Sequence, residues 1–413
     1  MSLDMSSFDA ALKQHYTDDM VENLVYKDNP LLALIAKMED FGGRNLPIPL
    51  IRGNPQNRSA TFATAVGGTS TSALDAFLLT RVKDYSIATI DNETLEASKG
   101  NSNAFLEAAT VEIDGCINAL TRSLAVKLYR DGWGVVGQVN ATVTGTTLTL
   151  LDPNDVVNFE VGQVLQFAAD AGGSALRDSG DVCTVTAIDR TAGSMTVSQS
   201  LTGISGLTSG DSIFLKGDRQ DSGSPARLVV SGLEAWVPQV APAAAPFFGV
   251  VRTTDVSRLG GLRLDASNVP IEEALIGAAS LVAREGGKID HFMMSYAQFS
   301  ALEKALGTKV QYVDVKMNAE IGFRGILVNG PRGPIKVIPD QNCPSDRVFG
   351  LQLNTWKLYS LGKAVRVIDT DGLQMLRQAS ADGVEVRYGF YGNLGCRAPG
   401  WNINVKVTAP TSF

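Results

Sequence analysis

Apolar residues recur at helical spacing over residues 7–27, at Phe8, Leu12, Tyr16, Met20 and Leu24, and predict an amphipathic helix. Asn29-Pro30 interrupts it, because a residue before proline disfavours the α region. A second short helix is predicted through Leu31, Leu34, Ile35 and Met38, stopping at Gly42-Gly43. Next come Pro47, Pro49 and Pro55, a strand-like run over 58–65, and a tip of small residues, Gly67-Gly68-Thr69-Ser70-Thr71-Ser72. The chain returns from Phe77 to Ile90. This reads as a long hairpin. A two-stranded ribbon is marginal alone, so it needs a partner surface. Residues 101–130 predict the clearest helix, with Leu106, Ala109, Ile113, Ile117, Leu120, Leu124 and Leu128 on one stripe. Asn101 and Asn103 are cap candidates, and Gly132 ends it.

The pattern then changes. Residues 134–216 are rich in Thr, Ser, Val and Gly, with strand-like runs at 138–143, 146–151, 164–168, 182–188, 195–199 and 212–215. Asp152-Pro153-Asn154, Ala171-Gly172-Gly173 and Ala192-Gly193-Ser194 read as turns between them. This predicts a compact all-β module inserted into an α+β host. Beyond it, 227–252 is extended. A helix starts at Pro270, with Glu272 and Glu273 set against its dipole, and buries Ile271, Leu275, Ala278, Ala279 and Val282. A strand over 290–294 leads into a helix through Phe299, Leu302 and Leu306. Strands follow at 326–328, 335–338, 348–351, 357–361, 365–368, 373–377, 384–390 and 401–407.

Composition narrows the function classes. The 413 residues are 44% hydrophobic and 19% charged, with a net charge of −7. That is a globular chain with no apolar run of membrane-spanning length, and no secretory signal is expected in residues 1–11. An acidic chain without a basic tail does not grip nucleic acid through phosphates, although it can surround it. Cys116, Cys183, Cys343 and Cys396 lie far apart and are expected as free thiols. With only His15 and His291, no clustered zinc ligands are expected.

Catalytic patterns are missing. Gly67-Gly68 lacks the following Lys-Ser or Lys-Thr of a phosphate loop. Ser231 lacks the Gly-x-Ser-x-Gly nucleophile turn. His291 reads as a satisfied structural histidine. Asp152, Asn154 and Asp155 lack calcium-loop spacing. No catalytic residue, cofactor or metal is expected. Arg44, Arg52 and Arg58 lie along the outgoing arm of the hairpin, and Arg81 and Lys83 on its return. Three readings stand: a solvated strand face, pairing with acidic surfaces of a neighbouring subunit, or, least favoured, contact with nucleic acid.

Several segments together carry a resemblance. Asp28-Asn29-Pro30-Leu31-Leu32 and Arg58-Ser59-Ala60-Thr61-Phe62 resemble the arm and extended loop of phage capsid proteins. Residues 103–129 resemble the spine helix. Ile289-Asp290-His291-Phe292-Met293-Met294-Ser295, then a helix, resembles the axial domain, and Gly325-Ile326-Leu327-Val328 with the late strands resembles the C-terminal part. The order of elements resembles the tailed-phage major capsid protein of Hong Kong 97-type fold, over most of the chain except 134–216.

The resemblance implies an N-terminal arm at 1–41, an extended hairpin loop at 42–98 and a spine helix of the peripheral domain at 99–133. An inserted all-β domain follows at 134–218, peripheral strands and connection at 219–269, an axial α/β domain at 270–370 and C-terminal peripheral strands at 371–413. It implies hexamers and pentamers of an icosahedral head in the virion, assembled in the host cytoplasm. The shell would enclose double-stranded DNA without sequence-specific binding, touch no membrane, and work with separate scaffolding, portal and decoration proteins. Arg44, Arg52, Arg58, Phe62, Arg81 and Lys83 become the inter-subunit contact candidates. The alternatives are an encapsulin-like nanocompartment shell, another virion structural protein, or a hydrolase with an accessory β-domain.

Overall fold

The computed structural model describes residues 28–91, 93, 102–140, 144–220, 227–307, 312–316, 322–369, 375–378 and 381–409. The predicted helix over 7–27 and the cap at Asn101 lie outside these residues. Helix α1 (Pro30–Leu34) begins on proline, which suits the first turn, and buries Leu31 and Leu32. Its predicted continuation to Met38 does not form. Ile35 is extended, at φ −68° and ψ 131°. Strand β1 (Ala36–Met38) instead pairs in parallel with β17 (Trp356–Ser360). A ladder with a distant sheet edge overrides the local helical pattern.

Strands β2 (Asn45–Gly53) and β3 (Ala73–Thr80) form an antiparallel hairpin, with Ile48 opposite Phe77 and Ile51 opposite Leu74. Two expectations change here. The run over 58–65 is not a strand. Residues 54–60 are irregular, and helix α2 (Phe62–Gly67) follows at the tip. Lacking a partner strand, Ala65 and Gly68 bond locally to the carbonyls of Thr61 and Thr64. The return arm also divides at Arg81. Beyond it, β4 (Val82–Asp91) leaves the hairpin and pairs with β20 (Gly383–Cys396). The paired hairpin thus spans 45–80 rather than 42–98.

β20 is the axis of a six-stranded sheet. β4 runs along one edge; β19 (Met375–Arg377), β18 (Arg366–Val367) and β17 follow one another along the other. Helix α3 (Ser102–Lys127) crosses this sheet and buries Ile113, Ile117, Leu120 and Leu124. Leu120→Ala is therefore expected to cost about 2–5 kcal/mol in a denaturant melt. A change below about 0.5 kcal/mol would show that the stripe is not core. The chain turns away at Gly132, whose φ of +85° favours glycine, and a Cβ there would meet Ser231 Oγ at 2.9 Å.

Past the short helices α4 (Leu233–Trp236) and α5 (Val256–Gly260), the chain enters a seven-stranded sheet. Its order is β11 (Leu262–Asp265), β21 (Ile403–Lys406), β16 (Arg347–Leu351), β12 (His291–Met294), β15 (Gly333–Pro339), β14 (Gly322–Gly330) and β13 (Tyr312–Lys316). Helices α6 (Ile271–Arg284) and α7 (Tyr296–Leu306) pack on it. Ser295 caps α7 by accepting from the Gln298 N–H. Strand membership departs from the division drawn from sequence. β11 and β21, placed with the peripheral strands, belong to this axial sheet. β17 and β18, placed with the axial domain, belong to the sheet around β20. Ile403 and Val405 bury into the axial core, which draws β21 between β11 and β16. His291 also differs, since neither ring nitrogen has a hydrogen-bond partner. Burial and then the Lys336 charge push its pKa down to about 4, so the ring is neutral near pH 7.

Residues 135–215 hold a separate six-stranded sheet. Its order is β5 (Val135–Gln138), β10 (Ser212–Leu215), β7 (Val164–Ala168), β8 (Cys183–Asp189), β9 (Ser194–Val197) and β6 (Thr147–Thr149). It has its own core of Leu148, Phe159, Leu165, Phe167, Val185 and Ile213. Charged contacts dock it onto the host. Arg130 meets Asp155 at 2.6 Å, and Arg122 pairs with Glu160. Lys127 is held at 3.0 Å by Asp84 and at 3.1 Å by Asp218, just past the module. The Ser345 hydroxyl donates to Asp152.

One polar knot ties three distant segments. Asp340 accepts from Tyr129 Oη at 2.7 Å, from the Leu31 N–H at 3.4 Å, and from the backbone and side-chain amides of Asn342. The Asn342 amide also donates to Asn29. The four thiols are free, and burial pushes Cys183 and Cys396 up to about 12.

Candidate assembly surfaces

The hairpin has two apolar faces, because side chains alternate across a strand. One face is anchored in the subunit. Ile48, Leu50, Phe77 and Leu79 are buried, and Phe77 meets Trp236 edge-on at 5.0 Å between ring centroids. The other face pairs Pro47 with Leu78, Pro49 with Ala76, and Ile51 with Leu74. It is open: Leu78 is 45%, Ile51 58% and Leu74 73% exposed. At the tip Phe62 is 87% and Val66 56% exposed. Isolated exposed apolar residues are normal, but a stripe along one face of a hairpin is a candidate interaction surface.

The basic candidates separate into two groups. Arg44, Arg52 and Arg58 are exposed along the outgoing arm and tip, and make no ion pair among the described residues. The Arg52 carbonyl accepts from the Arg258 guanidinium at 3.0 Å. Arg81 and Lys83 lie at the hairpin base, where β3 passes into β4. Arg81 donates to the Phe41 carbonyl at 3.2 Å, with its guanidinium carbon 5.5 Å from the centre of the Phe41 ring. Both line a cavity of about 480 Å³ together with Arg366, Asp369 and Tyr391. Arg366 and Tyr391 had no signal in the sequence, because β18 and β20 come alongside Lys83 only through sheet pairing. Burial, then a hydrogen bond with Tyr85, raises the Tyr391 pKa, while Arg366 and Lys83 pull it back.

Among the described residues, no group of three or more His, Cys, Asp or Glu could hold a metal. No helix among them is long and apolar enough to cross a membrane.

Residues 211–388, less than half of the chain, match the family described as SU10 major capsid protein. That part of the chain is similar to a phage major capsid protein. The fold of the chain is that of a cyanophage A-1(L) capsid chain, at TM-score 0.52 and 12% identity, covering 93% of each chain. The chain therefore has the Hong Kong 97-type fold of that capsid chain. Weaker likenesses include the SrpI encapsulin of Synechococcus elongatus at TM-score 0.44 and 8% identity, over 93% of this chain and 89% of that one. An empty GTA particle capsid stands at 0.43 and 10%, over 92% and 96%. Neither score carries weight. No curated protein sequence matches the chain.

Proposed function

We propose that this chain is a phage capsid protein that closes hexamers and pentamers into a head around double-stranded DNA by laying its hairpin on a neighbour, and that it performs no catalysis. The observation that supports this best is the apolar stripe of Ile51, Leu74 and Leu78 facing away from the subunit's own core. Each such side chain, once fully buried, contributes about 1.5–3 kcal/mol. Repeated around a ring, modest contacts are multiplied by effective concentration. Arg44, Arg52, Arg58 and Phe62 would border this contact. The acidic balance of −7 suits a wall that surrounds DNA without holding it. Scaffolding, portal and decoration proteins are the further partners of this reading.

Ile51→Asp tests it. The subunit melt should stay within about 0.5 kcal/mol of wild type, because the site is open in the single chain. Shell yield, read by sedimentation and electron microscopy, should collapse, because the contact would bury an unpaired carboxylate. Wild-type shells from the variant would show that this face is not the contact. Particles filled with protein cargo and no DNA would favour the nanocompartment alternative.

A further inference from the structure

We propose that the cavity at the hairpin base is an anion site that receives a carboxylate side chain from a second copy of this chain. The proposal rests on the shell reading above and goes beyond it by naming the site and its ligand. The cavity, about 480 Å³, lies where the β3–β4 junction meets β18 and β20. Lys83 sits opposite Tyr391, and Arg366 opposite Gly389. Ile368 fills the place a larger residue than Gly389 would take, since a Cβ there would come within 2.9 Å of it. Leu361, Val367 and Ile368 line the cavity beside these charged residues.

Among the described residues, Arg81, Lys83 and Arg366 line it with one carboxylate, Asp369. The Arg366 guanidinium carbon stands 5.4 Å from the centre of the Tyr391 ring, and its Nε is buried with no hydrogen-bond partner. Lys83 and Arg366 make no ion pair among the described residues. Like charges around a concavity focus positive potential there, and an entering anion relieves their repulsion.

Three observations favour a neighbour's carboxylate. The chain carries 43 acidic against 36 basic residues, so a second copy has an excess of the needed charge. β3 carries Leu78 of the open apolar face and ends at Thr80, next to Arg81 of the cavity lining, so the face and the cavity adjoin along the chain. A duplex backbone presents phosphates on a convex surface, whereas a single side chain can enter a recess of this size. Asp369 also opposes a doubly charged phosphate more than a carboxylate.

The test joins charge reversal to imaging. Lys83→Glu and Arg366→Glu, expressed with the other head proteins, should lower shell yield about tenfold or more, as lost charge pairs do. Lys83→Arg should assemble normally. In a residue-resolution map of wild-type shells, an Asp or Glu oxygen of an adjoining copy should lie within hydrogen-bond distance of Lys83 or Arg366. This readout stands even where a variant fails to fold. Reversal variants that assemble at wild-type yield overturn the site, as does a map with the cavity open to solvent or filled by a DNA phosphate. Those results leave the shell reading standing. A wild-type chain that forms no shell beside its head proteins overturns both.

Discussion

Excising residues 134–217 and joining the ends with a short Gly-Ser linker is expected to leave a folded but weakened host. The β-module has its own core, built from Leu148, Phe159, Leu165, Phe167 and Ile213, so little apolar surface of the host depends on it. Its charges are another matter. Arg130 is paired with Asp155 across the boundary, with both side chains only 14% exposed. Burial alone would lower the Arg130 pKa; Asp155 reverses that and raises it. Losing one partner of a buried pair costs up to about 3–5 kcal/mol, and the host's Glu234 and Asp346 offset only part of the Arg130 charge left behind. Arg122 and Ser345 also lose Glu160 and Asp152. The Arg122–Glu160 pair is more exposed and matters less, whereas Ser345 is buried and loses a hydrogen-bond partner. The deletion should therefore lower stability by up to about 3–5 kcal/mol, and a second change, Arg130→Met, should restore a large part of it. Chemical denaturation of the three chains checks this. Equal stability with and without Arg130→Met would show that the ion pair does not govern the docking. The isolated module should melt cooperatively with a β-type circular dichroism spectrum. A disordered module would place it within the host's core.

Asp340→Ala is expected to be as damaging, at about 3–5 kcal/mol. The substitution leaves Tyr129 Oη, the Leu31 N–H and the Asn342 amides without their acceptor. It also unties α1 from α3 and from the axial sheet. Asp340→Asn should be milder, since it keeps an acceptor oxygen. The pair also separates charge from hydrogen bonding. Burial raises the Asp340 pKa above 3.8, and the donors around it lower it only in part. A carboxyl whose folded value is raised takes up a proton on folding. Its contribution is fully present below about 3.8 and is lost as pH rises through the folded value. Melts of wild type should therefore lose stability from this group as pH climbs from the acid side, and Asp340→Asn should remove that component. An unchanged pH profile in Asp340→Asn would rule out titration of this carboxyl as its source.

Much of the subunit was legible in the order of its residues. The stripe of Ile113, Ile117, Leu120 and Leu124 shows a helix because 3.6-residue periodicity is local and survives any tertiary setting. The β-module shows itself by alternation and turns, which are also local. The order of elements likewise carries the resemblance to the Hong Kong 97-type fold. The same alternation places Ile51 and Leu74 on one strand face each, and tertiary packing then leaves that face open.

What tertiary structure alone decided is which strands share a sheet and which charges meet. β1 is strand rather than helix because β17 offers it a ladder. β4 leaves the hairpin because β20 offers ten paired residues, and β21 enters the axial sheet because its apolar side chains complete that core. Arg81 and Lys83 could be named from their neighbours in sequence. Arg366 and Tyr391 could not, because they reach the cavity through hydrogen bonding between segments far apart along the chain. Propensity and periodicity act over a few residues, whereas sheet partners are chosen by the burial of whole faces. The basic cavity, the Asp340 knot and the Arg130–Asp155 docking pair exist only once those faces have closed.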